Sequence, residues 1–156
     1  MQLIIGSWFW VTRHLNFAGN FLPQLGLRLL LAYEFWESGI EKLHGENWFV
    51  DIQSQFPFPF NIVPPEISWQ MATWFELIGP IALIFGLATR FFSFSLVILT
   101  IVAWASVHAG NGYNVADNGY KLPLIYLIMF APLLFNGAGK LSLDYFLRKK
   151  MVTQTA

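Results

Sequence analysis

The run FFSFSLVILTIVAWASV, residues 91–107, is the clearest apolar segment of the chain. Between Arg90 and Asp117 the sequence contains no formally charged residue. A helix that crosses the hydrocarbon core of a bilayer needs about 20 mostly apolar residues. The run therefore predicts a membrane-spanning helix, and it sets the class of protein that the remaining sequence must fit.

The composition of the whole chain agrees with this interpretation. Of its 156 residues, 56% are hydrophobic and 12% are charged, about half of the roughly 25% charged residues found in an ordinary soluble domain. Nine Lys and Arg balance nine Asp and Glu, and cysteine is absent. These values exclude a conventional soluble globule, a disordered chain, a nucleic-acid-binding protein and any site built on cysteine. We predict an all-α membrane protein with a single domain, residues 1–156.

Three further stretches are apolar enough to be membrane helices. They are residues 21–40, 67–87 and 122–135, and together with residues 91–107 they predict a four-helix transmembrane bundle. The connection ATRF, residues 88–91, is short, so the second and third spans should be antiparallel neighbours. Pro132 should bend the short fourth span, because proline removes a backbone hydrogen-bond donor.

Positive charges outside the predicted spans are distributed unequally. The side with only two of them carries Lys42 and Lys121. Cytoplasmic loops of membrane proteins carry the excess of Lys and Arg, so we expect a bacterial inner-membrane protein with both termini in the cytoplasm. The six cationic residues on the predicted cytoplasmic side are Arg13, Arg90, Lys140, Arg148, Lys149 and Lys150.

The segments between the spans have recognisable compositions. Residues 1–11 are apolar, too short to span and without a signal-peptide cleavage site, so we expect them to be retained and to lie at the membrane interface. The long external loop, residues 43–66, is rich in aromatic residues and proline, which suits either a lid over a binding site or a segment lying on the bilayer. Residues 108–120 contain Asn-Gly twice and should form turns.

Charged residues inside the predicted spans are the main functional candidates. A charge at the centre of a membrane helix costs roughly 2.5–3.5 kcal/mol on insertion scales, so it should face protein or water and find a partner. Arg28 in the first span and Glu76 in the second lie at similar predicted depth, and we predict that they form a buried pair. The pair could serve helix packing alone, or it could take part in ligand binding or proton handling.

The first span also carries three glutamates on one stripe. At about 100° per residue, Glu34, Glu37 and Glu41 lie nearly opposite the stripe that carries Arg28, Phe35, Gly39 and Lys42. The three carboxylates could form a proton path or a cation-attracting vestibule, or they could simply hydrogen-bond other helices and the interface. The spacing of Glu41, His44 and His108 matches no metal-binding motif, so no metal site is predicted. The candidate polar site comprises Glu34, Glu37, Glu41, Lys42 and His108.

Three motifs follow one another along the chain. They are R-L-x5-F-x3-G-x2-K-L at residues 28–43, E-x2-G-x6-G-L-x-T-R at 76–90 and G-A-G-x-L-S-L-D at 137–144. In this order they resemble the DoxX family of small four-helix bacterial inner-membrane proteins, over residues 22–146. The FPFPF loop at residues 56–60 and the VHAGNGY segment at 107–113 resemble the HvfX-type branch, whose members are associated with clusters that make copper-binding modified peptides.

The resemblance implies a membrane role beside redox or maturation systems, and the chain has no self-sufficient catalytic set. We expect an accessory subunit of a redox or copper-binding-peptide maturation system, with partner proteins that carry out the reaction. One alternative is a quinone- or lipid-binding oxidoreductase component, and another is a small proton-coupled transporter that uses the glutamates. The sequence leaves catalysis and the oligomeric state open. In the quinone alternative the ring would be bound by Arg28, Lys42, Glu76 and His108.

Overall fold

The computed structural model describes the backbone of residues 2–154 and the side chains of residues 8–154. All regular structure in this part of the chain is helical, which confirms the predicted all-α class. The α-helices are α1 (Gln2–Gly19), α2 (Leu22–His44), α3 (Phe49–Ile52), α4 (Pro65–Phe85), α5 (Thr89–Ala103), α6 (Lys121–Asn136) and α7 (Leu143–Gln154). A π-helical turn, Trp104–His108, continues α5, and 3-10 turns lie at Gln53–Gln55, Phe60–Ile62, Ala109–Asn111 and Val115–Asp117.

Each predicted span falls on one long helix: α2, α4, α5 with its π-helical turn, and α6. Within the described residues, two helical segments are long and apolar enough to cross a membrane, Pro65–Phe85 and Thr89–Asn111. The α6 helix is a shorter apolar helix of 16 residues. The α2 helix has 23 residues but carries five charged side chains, which lowers its apolar character.

The four long helices pack into a ring. The α2 helix packs along α4, α4 along α5, α5 along α6, and α6 closes the ring against α2. Large apolar side chains also project outward from α4, α5 and α6, so apolar surface covers both the inside and the outside of the ring. The buried centre is formed by Leu31, Ala32, Phe35, Leu83, Leu96, Phe130 and Leu133.

Two helices lie outside the ring. The α1 helix packs sparsely against α2 and exposes Trp8, Phe9 and Trp10. It continues to Gly19, beyond the predicted interfacial segment 1–11; Met1 and the side chains of residues 2–7 of that segment lie outside the described residues. The α7 helix, Leu143–Gln154, lies in a part of the chain for which the sequence predicted no helix.

The backbones of α2 and α4 approach each other closely at Gly39. A Cβ atom at Gly39 would lie 2.8 Å from the carbonyl oxygen of Glu76, so only glycine allows the two helices this separation. Pro80 lies one turn further along α4 and has no N–H to donate to that same carbonyl. The carbonyl of Glu76 therefore lacks its usual N–H partner four residues later in α4, and it lies directly against the backbone of α2.

The connection between α4 and α5 is a tight turn, and the two helices are neighbours as predicted. Gly86 ends α4 with φ +64°, and Ala88 also has a positive φ of 46°. The carboxylate of Asp144 accepts hydrogen bonds from the backbone N–H groups of Ala88 at 2.8 Å and Thr89 at 2.9 Å. Asp144 thus caps the N-terminus of α5 from a distant part of the chain.

We expect Gly39→Ala to destabilise the protein, because the new methyl group would force α2 away from α4. The expected loss is about 1–3 kcal/mol in the free energy of unfolding, the usual cost of overpacking. Gly26→Ala is the matched control on the same helix, since a Cβ atom at Gly26 meets nothing within 4 Å. The measurement is thermal unfolding in detergent. Equal unfolding temperatures for the two variants would contradict the close helix contact.

Candidate ligand-binding site

A cavity of about 290 Å³ lies between α4, α5 and the covering loop, which we define as residues 45–64. Its wall is mainly apolar and aromatic, which is typical of sites for small organic molecules. The residues from the covering loop are Trp48, Phe49, Ile52, Phe56, Phe60 and Val63, those from α4 include Met71, Ala72 and Phe75, and those from α5 include Ile98, Leu99 and Val102. Polar atoms reach the wall from Lys42, Glu76, Ser68, Ser95 and Ser106.

The covering loop is held in place by its own aromatic residues. Phe49 packs edge-on against Phe56 and Trp69, with ring centroids 5.1 and 5.0 Å apart. The side chain of Gln53 donates a hydrogen bond to the carbonyl of Val63 at 2.6 Å, which closes the loop on itself. Phe56 is only 5% exposed, as a lid over a site expects, whereas Phe58 is 79% exposed, as a segment lying on the bilayer expects.

An ion pair lies in the wall of the cavity. The Nζ of Lys42 is 2.7 Å from a carboxylate oxygen of Glu76 and donates a second hydrogen bond to Ser38 at 2.8 Å. Both charged side chains are nearly buried, with 12% of Lys42 and 9% of Glu76 exposed. Among the described side chains this is the one ion pair between a cation and a carboxylate.

The predicted pair between Arg28 and Glu76 is therefore wrong. Arg28 is 1% exposed, and its guanidinium donates hydrogen bonds to the carbonyls of Ala138 at 2.7 Å, Leu141 at 2.8 Å and Ile84 at 3.0 Å. These carbonyls lie at the end of α4 and in the segment between α6 and α7. The long arginine side chain reaches the end of the helix ring, whereas Glu76 lies nearer the covering loop and meets Lys42.

A serine that the sequence interpretation did not single out is the least satisfied polar group of the cavity. Ser68 on α4 is 9% exposed, lines the cavity, and its hydroxyl has no hydrogen-bond partner. By contrast, the hydroxyls of Ser95 and Ser106 donate to carbonyls four residues earlier on their own helices. Whether a serine hydroxyl bonds a carbonyl of its own helix cannot be read from the sequence. The only sequence signal for a polar group such as Ser68 was the presence of serines within apolar spans.

The three glutamates of α2 are not part of the cavity wall. Glu34 accepts a hydrogen bond from the hydroxyl of Tyr126 on α6, as the helix-to-helix interpretation expects. Glu37 and Glu41 are exposed. The structure therefore brings Lys42 and Glu76 together at the cavity and leaves the rest of the glutamate stripe elsewhere.

The histidines also lie apart from the cavity. The Nδ1 of His108 is 2.8 Å from the carbonyl oxygen of Asn118, and the Nδ1 of His44 is 3.0 Å from that of Ile40. Within the described residues, no group of three His, Asp or Glu side chains is placed to hold a metal ion. His108 thus supports the loop after α5, and the polar groups available to a ligand are those of Lys42, Glu76 and Ser68.

The arrangement defines a small helical protein with apolar outer faces, two helices suited to a membrane, and an apolar cavity with a charged pair in its wall. The DoxX family model matches residues 24–109, more than half of the chain, and the protein belongs to the DoxX family. The third motif, at residues 137–144, lies beyond the matched region, although its backbone carbonyls bind Arg28.

Two proteins of Haemophilus influenzae are similar to the chain, and both are described only as uncharacterized. One is 55% identical over 137 residues, which cover 88% of this chain and 91% of the relative. The other is 32% identical over 124 residues, which cover 76% of this chain and 85% of the relative. No solved structure matches the chain.

We expect Lys42→Met to destabilise the protein by about 3 kcal/mol, because Glu76 would remain as an unpaired buried charge. The double variant Lys42→Met with Glu76→Gln should recover most of this loss, since no charge is then left without a partner. Thermal unfolding in detergent gives the comparison. Lys140→Met, at an exposed lysine, is the control for the loss of one positive charge. A double variant less stable than Lys42→Met would contradict the direct pairing.

Proposed function

We propose that the protein is a multi-pass inner-membrane protein in which α2, α4, α5 and α6 cross the bilayer. The outward apolar surface of the helix ring supports this placement, because it matches the lipid tails that would surround it. The first and last helices, α1 and α7, lie outside the ring. Both termini are in the cytoplasm, since the end of the ring with the α4–α5 turn and α7 carries the excess of Lys and Arg.

Single introduced cysteines test this topology without background, because the chain contains no cysteine. Ser54 lies exposed in the covering loop and Thr153 lies exposed near the end of α7. In intact spheroplasts, a membrane-impermeant thiol reagent should label Ser54→Cys and leave Thr153→Cys unlabelled until the membrane is permeabilised. The opposite labelling would reverse the orientation, and labelling of both sites before permeabilisation would contradict the proposed spans.

In the membrane the protein serves as an accessory subunit of a redox or copper-binding-peptide maturation system. The resemblance of its motifs to the DoxX family, and of residues 56–60 and 107–113 to the HvfX-type branch, suggests this role. Any thiol chemistry in such a system requires a thiol from a partner protein, because this chain has none. The contribution of this chain to such a system would be the ligand that its cavity binds.

The loop-covered cavity is the observation that carries the proposal: the accessory subunit binds a lipid-soluble ring compound of the quinone class. A volume of about 290 Å³ suits a ring head group, and a long apolar tail would extend beyond it. Aromatic side chains provide stacking surfaces for the ring. The ammonium of Lys42 and the hydroxyl of Ser68 are donors for its oxygen atoms, and Ser68 has no competing protein partner.

A bound quinone would supply two-electron redox chemistry, and the residues of this chain would orient it. Lys42 can donate a hydrogen bond to a ring oxygen while it stays close to Glu76. Glu76 holds the ammonium of Lys42 in position at the cavity wall. The covering loop excludes water from the apolar side of the site.

Filling the cavity tests this function. Ser95→Trp places an indole in the cavity, whereas Phe94→Trp puts the same side chain on the exposed face of the same helix. Organic extracts of gently solubilised, purified protein should contain stoichiometric quinone in the native chain and in Phe94→Trp, and at least tenfold less in Ser95→Trp. The measurement is mass spectrometry of the extracts. A native protein without quinone, or equal quinone in all three samples, would contradict the proposal.

A further inference from the structure

A second concave site lies at the opposite end of the helix ring from the covering loop. This basic groove, also about 290 Å³, lies between the start of α5, residues 137–138 and α7. Two arginines, Arg90 and Arg148, contribute to its wall from α5 and α7. Apolar side chains contribute the remainder, and they include Phe91, Leu147 and Met151.

The charge around the basic groove is strongly positive. Besides the two arginines in its wall, Lys140, Lys149 and Lys150 lie in the neighbouring segments. Asp144 is the acidic residue of this wall, and both of its carboxylate oxygens accept backbone N–H groups at the start of α5. Its negative charge is therefore directed at the positive N-terminal end of that helix rather than into the groove.

Arg90 is held in position at the edge of the groove. One of its terminal nitrogens donates a hydrogen bond to the carbonyl of Phe135, at the end of α6, at 2.9 Å. A guanidinium has five N–H groups in a planar fork, so this bond leaves donors for a further acceptor. Arginine forks bind phosphate oxygens in pairs with particular strength.

The apolar part of the groove is exposed as well. Phe91 is 58% exposed and Leu147 is 50% exposed, and both lie beside the arginines. A ligand that matches the whole site therefore needs an anionic group and an adjoining hydrocarbon portion. A free phosphate or a nucleotide would satisfy the arginines and leave the apolar side chains in water.

We propose that the basic groove binds the phosphate head group of an anionic phospholipid in the cytoplasmic leaflet, with an acyl chain against Phe91 and Leu147. Anionic lipids of this leaflet attract basic segments near the membrane surface. The inference rests on the proposed membrane placement and is independent of the quinone in the loop-covered cavity. It assigns a second, chemically different ligand to the same chain.

Native mass spectrometry of the full chain in detergent tests the proposal, with phosphatidylglycerol and phosphatidylcholine of identical acyl chains as probes. The native protein should retain phosphatidylglycerol at least tenfold better than phosphatidylcholine. Arg148→Gln should weaken phosphatidylglycerol binding about fivefold, and Arg90→Gln with Arg148→Gln about 25-fold, at roughly fivefold for each cation near a lipid surface. Arg13→Gln removes an exposed cation on the same proposed side and should leave the affinity unchanged.

Three outcomes would overturn the proposal. They are equal retention of the two lipids, an equal effect of Arg13→Gln and Arg148→Gln, and full displacement of the lipid by inorganic phosphate at equal concentration. The last outcome would identify a phosphate site without lipid specificity. Arg148→Gln alone keeps the test valid if the double variant does not fold, and the quinone content of each sample reports separately on the loop-covered cavity.

Discussion

A single buried guanidinium joins the elements at one end of this protein. Arg28 of α2 donates to carbonyls at the C-terminal end of α4 and in the segment before α7. Arg28 is only 1% exposed, so its guanidinium depends on these carbonyls for hydrogen bonds that water does not supply. Gly86 must remain glycine beside it, since a Cβ there would lie 2.7 Å from a guanidinium nitrogen. The three sequence motifs thus meet around one side chain.

The two ends of the ring offer a ligand different surroundings. At one end, Arg28 and Asp144 form hydrogen bonds with backbone groups of α4, of the start of α5 and of the segment before α7. At the other end the covering loop leaves a cavity with the Lys42–Glu76 pair in its wall. The two proposed sites accordingly differ in chemistry: a loop-covered apolar cavity for a ring compound, and a basic groove for a lipid head group.

The long apolar stretches of the sequence predicted the four long helices, and the short connection at residues 88–91 predicted the tight α4–α5 turn. Arg28, Gly39 and Lys42 were assigned to one stripe, and all three do contact α4 or the elements at its ends. The predicted partner of Arg28 was wrong, because the depth of its charged group was estimated from the position of its backbone along the helix. Arg28 extends by several bonds toward the helix end, as long cationic side chains do, and Lys42 was left to meet Glu76.

Other features had no signal in the sequence. A serine hydroxyl is available to a ligand only if it does not bond a carbonyl of its own helix. The sequence does not show this, so it could not distinguish the unpartnered Ser68 from Ser95. The α7 helix is too polar to stand out in the sequence beside the apolar helices. The basic groove combines residues 90 and 148, and only the packing of α7 against the α4–α5 turn brings them together.

The proline in α4 has a mechanical consequence. Pro80 removes the hydrogen bond that would join the carbonyl of Glu76 to the next turn of α4, at the level where Gly39 of α2 packs against it. A helix bends most easily where its backbone hydrogen bonds are interrupted. Here the interruption lies at Glu76, the residue that pairs with Lys42. Bending of α4 at this level would change the shape of the cavity and the position of its cation in one movement.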